Sequence, residues 1–315
     1  ALDAITTGDG NTVMGYQAAT SLTTGQRSVI IGYQAGDEMT SGGDSVIVGY
    51  GAGHSQTTSL ENTLLGYYAG SEVTDGAYNT FVGSSAGQSA TTPSDNTAVG
   101  SRAMAATTTG SDNTALGKSA MAANTTGSRN LAIGVQAYDA SDTENDNIAI
   151  GFDAMTTDTA GGQYNIAIGN YAADALTSGD SNVVIGHNVA SNLSSGSGNT
   201  AMGHDALLAT TTQSNNTAVG YQALRANTAA DNTAFGKDAL VLNTTGDYNV
   251  AVGRSALAAN TTGASNLAIG TNTLTANTTG TRNIAIGNEA YDSSDTENDN
   301  IAIGYQAMTT DTAGG

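Results

Sequence analysis

The 315 residues carry 28 acidic side chains against six arginines and two lysines, a formal net charge of −20, which excludes partners that need basic patches, nucleic acid and anionic membrane surfaces among them. The absence of cysteine excludes a disulfide framework and thiolate chemistry, and no apolar run approaches the ~20 residues that span a bilayer. With 41 Gly, three Phe, one Pro and no Trp, a conventional bulky core cannot be filled, so burial must come from close stacking of small residues.

Internal repetition organises the chain. The glycine closing each Asn-x-x-x-Gly falls at 15, 32, 49, 66, 83, 100, 117, 134, 151, 169, 186, 203, 220, 236, 253, 270, 287 and 304. Fifteen of the intervals are 17 residues long, one is 18 (Gly151 to Gly169) and one is 16 (Gly220 to Gly236). The expectation is a single array over 1–315, a segment of a longer protein, since it opens at Ala1 and stops inside a repeat at Gly315. With the closing glycine as position 0, Asn or Ser stands at −4 and Ala at +3 in most units, and a second Gly often stands at +10.

Asn-x-Ala-Ile-Gly is a short β-branched run between turn residues and reads as a strand. Positions −1 and −3 share one face and position −2 the other. Both faces are apolar or small, so the strand is expected to be buried on both, with −1 filling the interior of the coil and −2 packing against neighbouring chains. Only about six residues separate the glycine from the Asn-Thr-Thr-Gly corner, too few for a capped helix, which favours a second strand or extended leg. The expected fold is all-β, a parallel β-solenoid (β-roll) of about 18 coils with a 17-residue repeat. Its asparagines should form a ladder of side-chain amides. One coil buries little apolar surface for the residues it orders, so a homo-oligomer, with a homotrimer preferred, is the expected remedy.

Taken along the chain, the first candidates are Tyr16, Tyr33, Tyr50 and Tyr67, at position +1 of four successive coils. They read as a stripe for stacking a glycan or as a cross-strand aromatic ladder, the ladder being preferred. Asn124, Asn243, Asn260 and Asn277 open Asn-Thr-Thr sequons, read as turn chemistry before glycosylation. The acidic stretch from Asp139 to Asn147, recurring from Asp292 to Asn300, offers Asp142, Glu144 and Asp146 as Ca2+ ligands, although it lacks the EF-hand glycine and a solvated corner is the default. His187 and His204, 17 residues apart, stack on adjacent coils and could share a metal in an assembly; the variety at the same position elsewhere argues for a solvent-facing corner. No cofactor is implied.

Residues 216–224, Asn-Thr-Ala-Val-Gly-Tyr-Gln-Ala-Leu, resemble the arrays of bacteriophage tail-fibre proteins letter for letter. The wider unit is similar to the YadA-like head repeats of trimeric autotransporter adhesins, from whose shorter spacing the 17-residue period departs. The resemblance covers the full length and rests on short motifs of low complexity. It implies left-handed trimeric β-rolls on a cell surface or virion, used for attachment to a receptor or glycan. A non-enzymatic extracellular fibre segment is therefore the leading expectation. A left-handed β-helix acyltransferase is an alternative, because Ile-Gly-x-x-Ala is one hexapeptide of that kind, but it is not repeated three times per coil. An ice-binding solenoid is a further alternative, though its Thr ranks are interrupted at Glu144, Gln213 and Ala230. Finally, Asn283 to Met308 nearly copies Asn130 to Met155 at a separation of 153 residues. That is nine coils, which marks the acidic stretch as part of a duplicated block.

Overall fold

A computed structural model describes residues 4–157, 161–293 and 295–309. It shows an all-β parallel solenoid with one three-residue strand per coil and no helix among the described residues. The chain forms two compact units, Ala1–Gly161 and Gly162–Gly315. The first holds β1 (Thr12–Met14) through β9 (Ile148–Ile150), and the second β10 (Ile166–Ile168) through β18 (Ile301–Ile303). Within each unit successive strands pair in parallel one repeat apart, as in Thr80↔Thr97, Phe81↔Ala98 and Val82↔Val99. The pairing absorbs the short interval without losing register, Thr217 lying opposite Thr233.

The closing glycine is required by the stacking itself. At Gly15 the backbone takes φ +136, and a Cβ would stand 2.2 Å from the carbonyl oxygen of Gly32 in the next coil. Backbone rests on backbone there, so no side chain can be admitted.

Beyond the glycine the expected second strand does not form. Residues at +2 and +4 adopt left-handed conformations, for example Gln17 (φ 52) and Ala19 (φ 47), or Gln222 (φ 55) and Leu224 (φ 51). Alternating the backbone in this way sends the +2 and +4 amides to opposite neighbours. Gln34 N–H donates to the Tyr16 carbonyl one coil back (2.9 Å), whereas Gly36 N–H donates to the Ala52 carbonyl one coil ahead (3.0 Å). A left-handed residue other than glycine costs about 1–2 kcal/mol. The inter-coil hydrogen bonds offset that cost, a tertiary effect that residue propensities do not register.

The faces of the strand are also the reverse of the expectation. Position −2 points inward and is fully buried in nearly every coil, including Ile30, Phe81 and Ala98. Positions −1 and −3 point outward and are nowhere fully buried. The reason is the thinness of the coil. Its interior takes Ala at +3 in most coils and one or two larger side chains drawn from −2, +4 and +7, as Ile30 with Met39 or Val184 with Leu193. Where −2 is Ile30, Ile47, Leu64 or Phe81, position +4 is Gly36, Gly53, Gly70 or Gly87. A Cβ on Gly87 would lie 2.4 Å from a ring carbon of Phe81. Where −2 is Ala, +4 is Met, Leu or Tyr, as in Ala98 with Met104, Ala218 with Leu224 and Ala132 with Tyr138. The pair Ala167 with Ala173 departs from this, and there Leu176 at +7 supplies the volume. Positions −2 and +4 thus exchange volume across the interior of the coil.

Polar ladders close the coil. The Asn62 carboxamide oxygen accepts the Asn79 N–H of the next coil (2.8 Å), while its Nδ2 crosses to the Gly76 carbonyl (2.8 Å). Direct amide-to-amide bonds also run along this column, as from Asn199 to Asn182 (3.1 Å). Where Ser28 and Ser45 replace Asn, their hydroxyls accept the corresponding N–H groups of Ser45 and Asn62.

Candidate functional site

Because the glycine column stacks backbone on backbone, the side chains at +1 fall one above another at the corner. Tyr16, Tyr33, Tyr50 and Tyr67 form a stack with ring centroids 5.3, 4.9 and 5.5 Å apart and planes within 25°. Tyr68 lies edge-on against Tyr50 and Tyr67. This is the aromatic ladder. Each inner ring spends its faces on its neighbours and turns an edge outward, whereas a stripe for stacking sugars needs open faces.

His187 and His204 occupy the same corner in the second unit, with ring centroids 5.1 Å apart and planes within 20°. The stack continues from His204 to Tyr221 (5.6 Å), with Tyr171 edge-on to His187 and the Lys237 ammonium 5.6 Å from the Tyr221 ring centre. His204 Nδ1 stands 3.2 Å from the Asp205 carboxylate. Burial pushes the Asp205 carboxyl up, but the hydrogen bonds from Asn188 and Gln222 with the neighbouring His204 and Arg225 together outweigh it and hold the group below its usual range. Parallel imidazoles do not aim their nitrogens at one point. Among the described residues no group of three or more His, Cys, Asp or Glu stands where it could hold a metal ion.

The acidic stretch is likewise resolved into separate partnerships. Asp146 is held by Arg129 through two bonds, Nε to Oδ1 at 2.7 Å and Nη2 to Oδ2 at 2.8 Å. The Asp142 carboxylate accepts the Thr125 hydroxyl. Glu144 is almost fully buried, and its carboxylate accepts the N–H groups of Asp142 (2.8 Å), Thr143 (3.0 Å) and Gly161 (3.0 Å). A carboxylate filled with backbone donors is satisfied without a cation, so the three proposed ligands are not brought together.

The role of Glu144 is structural and was not read from the sequence. In regular coils the +8 and +9 N–H groups both donate to the +8 carbonyl of the next coil, as Thr108 and Thr109 do to Thr125 (2.8 and 3.2 Å). Glu144 at +10 takes these two donors itself. Gln213 does the same for Thr211 and Thr212 (3.0 and 3.2 Å), and Glu297 for Asp295 and Thr296 (3.0 Å each). Glu144 precedes the 18-residue interval and Gln213 the 16-residue one. The signal was present as the only acidic or amide residues at a position otherwise filled mostly by glycine.

The sequon asparagines are fully buried, so the folded chain does not present them for glycosylation. Asn243, Asn260 and Asn277 instead build a second amide ladder, Asn260 Nδ2 to Asn243 Oδ1 at 2.8 Å and Asn277 Nδ2 to Asn260 Oδ1 at 2.9 Å.

The largest unassigned feature is the outward face of the strands. Position −1 is a large apolar residue in all 18 strands, from Met14 through Ile133 and Phe235 to Ile303. Position −3 beside it is Thr, Val, Leu or Ile. Nine coils at ~4.8 Å make this a continuous apolar strip about 43 Å long in each unit. No family model matches this chain, and no curated protein matches it. The outward strip, rather than any ligand-gathering cluster, is the candidate functional surface.

Proposed function

We propose that the chain is a non-enzymatic fibre segment of an extracellular appendage, a phage tail fibre or bacterial surface adhesin, that serves attachment and mechanical spacing as a left-handed homotrimer. The observation that carries this reading is the apolar strip at −1 and −3, left uncovered while the interior of each coil is closed. Three parallel chains that bring these strips to a common axis bury them and leave the acidic corners outside. The net charge of −20 then keeps assembled particles apart. Ladders of backbone and amide hydrogen bonds along the axis supply stiffness.

Analytical ultracentrifugation of the chain tests this directly, with three times the 31.3 kDa chain mass expected. Ile133→Glu with Ile150→Glu places two charges in the strip of one unit and should shift the mass toward the monomer with circular dichroism unchanged. A monomeric wild-type chain at micromolar concentration, or compact particles in electron micrographs, would sink the fibre reading.

A further inference from the structure

The acidity of the chain is unevenly spread. From Gly76 to Tyr138 the only acids are Asp95 and Asp112, against Arg102, Lys118 and Arg129, so this stretch lacks the acidic excess of a chain of net charge −20. Arg129 is occupied by Asp146. Arg102 and Lys118, exposed on adjacent coils, make no ion pair or side-chain hydrogen bond among the described residues.

A notch of about 430 Å3 opens in the same stretch. It lies on the leg of the coils, where +5 and +6 are Gln88 and Ser89, then Ala105 and Ala106. Elsewhere in the unit these positions carry acids, as in Asp37 with Glu38 and in Glu72. The stacked legs set Arg102 over Ser85, since Arg102 N–H donates to the Ser84 carbonyl of the preceding coil (2.9 Å). Ser85, Gln88, Ser89 and Arg102 therefore line one depression, and none of their side chains is hydrogen-bonded within the chain among the described residues. Four free polar groups around a concavity that Ala105, Ala106 and Ala122 also line is the form of a small-molecule site, and the volume suits a ligand of one sugar ring.

We propose that this notch binds the carboxylate of an acidic sugar. The proposal rests on the attachment reading above and specifies its ligand. The planar Arg102 fork matches a carboxylate through two parallel bonds. The Ser85 and Ser89 hydroxyls and the Gln88 amide answer the ring hydroxyls, and the methyl groups of Ala105 and Ala106 meet a C–H face. Lys118, one coil further, adds positive potential without a fixed bond.

The test is titration of the full chain with methyl glucuronide, methyl glucoside and glucose 6-sulfate, followed by saturation-transfer NMR. The glucuronide should bind at millimolar concentration and the glucoside about tenfold or more weaker, the loss expected for one charge-assisted pair. Arg102→Ala should weaken the glucuronide by the same factor and Arg102→Lys by less. Arg254→Ala, at an exposed arginine of the other unit, should leave binding unchanged. Glucuronide binding that survives Arg102→Ala, or that the glucoside equals, overturns the proposal, and a preference for the sulfate overturns the carboxylate assignment. An assembled trimer that binds no acidic sugar removes the notch alone. A monomer that binds it supports the notch and removes the fibre.

Discussion

Replacing Phe81 by alanine and Gly87 by methionine, separately and together, tests whether facing side chains share one volume per coil. Phe81→Ala deletes the one large interior side chain of its coil, because Gly87 and Ala90 opposite it are small. Loss of a buried phenyl ring costs about 3–5 kcal/mol. Gly87→Met alone drives a side chain into the ring, where its Cβ would lie 2.4, 2.5 and 2.7 Å from three ring carbons. Overpacking of this kind costs about 1–3 kcal/mol, with about 1–2 kcal/mol more for a left-handed non-glycine residue. The double variant reproduces the pair one coil on, Ala98 with Met104, in which Met104 already takes φ 52. It should therefore recover most of the loss, with a favourable coupling of about 2–3 kcal/mol or more between the two sites. Urea denaturation of the four proteins, followed by circular dichroism at fixed chain concentration, measures it. If the two losses simply add, positions −2 and +4 do not share the interior and the account of the core fails.

Gln56 stands at +7 between Met39 and Val73, fully buried, with neither amide atom hydrogen-bonded; Gln56→Met should raise stability by about 1–3 kcal/mol, read as a higher denaturation midpoint. Glu144→Ala strands the N–H groups of Asp142 and Thr143 and should cost about 1–3 kcal/mol. Glu144→Gln should cost less, since Gln213 takes the same two donors and only the Gly161 N–H loses its acceptor; equal losses would discredit the cap. Burial pushes the Asp139 carboxyl up, the Gln136 hydrogen bond partly opposes this, and Asp153 adds to it. The folded state then holds the proton more tightly than the unfolded one, so this group makes stability fall as pH rises from its unfolded value through its raised folded value. Asp139→Asn should flatten that part of the melting-temperature profile and raise the midpoint at pH 7 relative to wild type, with little difference at pH 3.

The repeat itself, its period, the strand in each unit, the parallel register and the asparagine ladder were all legible in the sequence. A 17-residue recurrence of Asn and Gly around a β-branched triplet has few ways to fold other than by stacking identical coils. The tyrosine ladder followed too, because equal spacing puts Tyr16, Tyr33, Tyr50 and Tyr67 over one another once stacking is granted. The exchange of volume between Phe81 with Gly87 and Ala98 with Met104 is also visible in the letters, but only after +4 is known to face −2.

Three features were decided by the tertiary structure alone. Alternation along the strand separates −1 from −2 without saying which lies inside; the closed coil takes −2, whether Ala98 or Phe81, and leaves Ile133 and its column outward. The leg after the glycine takes left-handed turns at residues such as Gln17 and Leu224, because bonds to the coils on either side outweigh the local preference of each residue. The acidic stretch presents Asp142, Glu144 and Asp146 as one cluster in the sequence. The coil sends Asp142 and Asp146 to Thr125 and Arg129, partners one repeat away, and turns Glu144 back onto the N–H groups of its own corner.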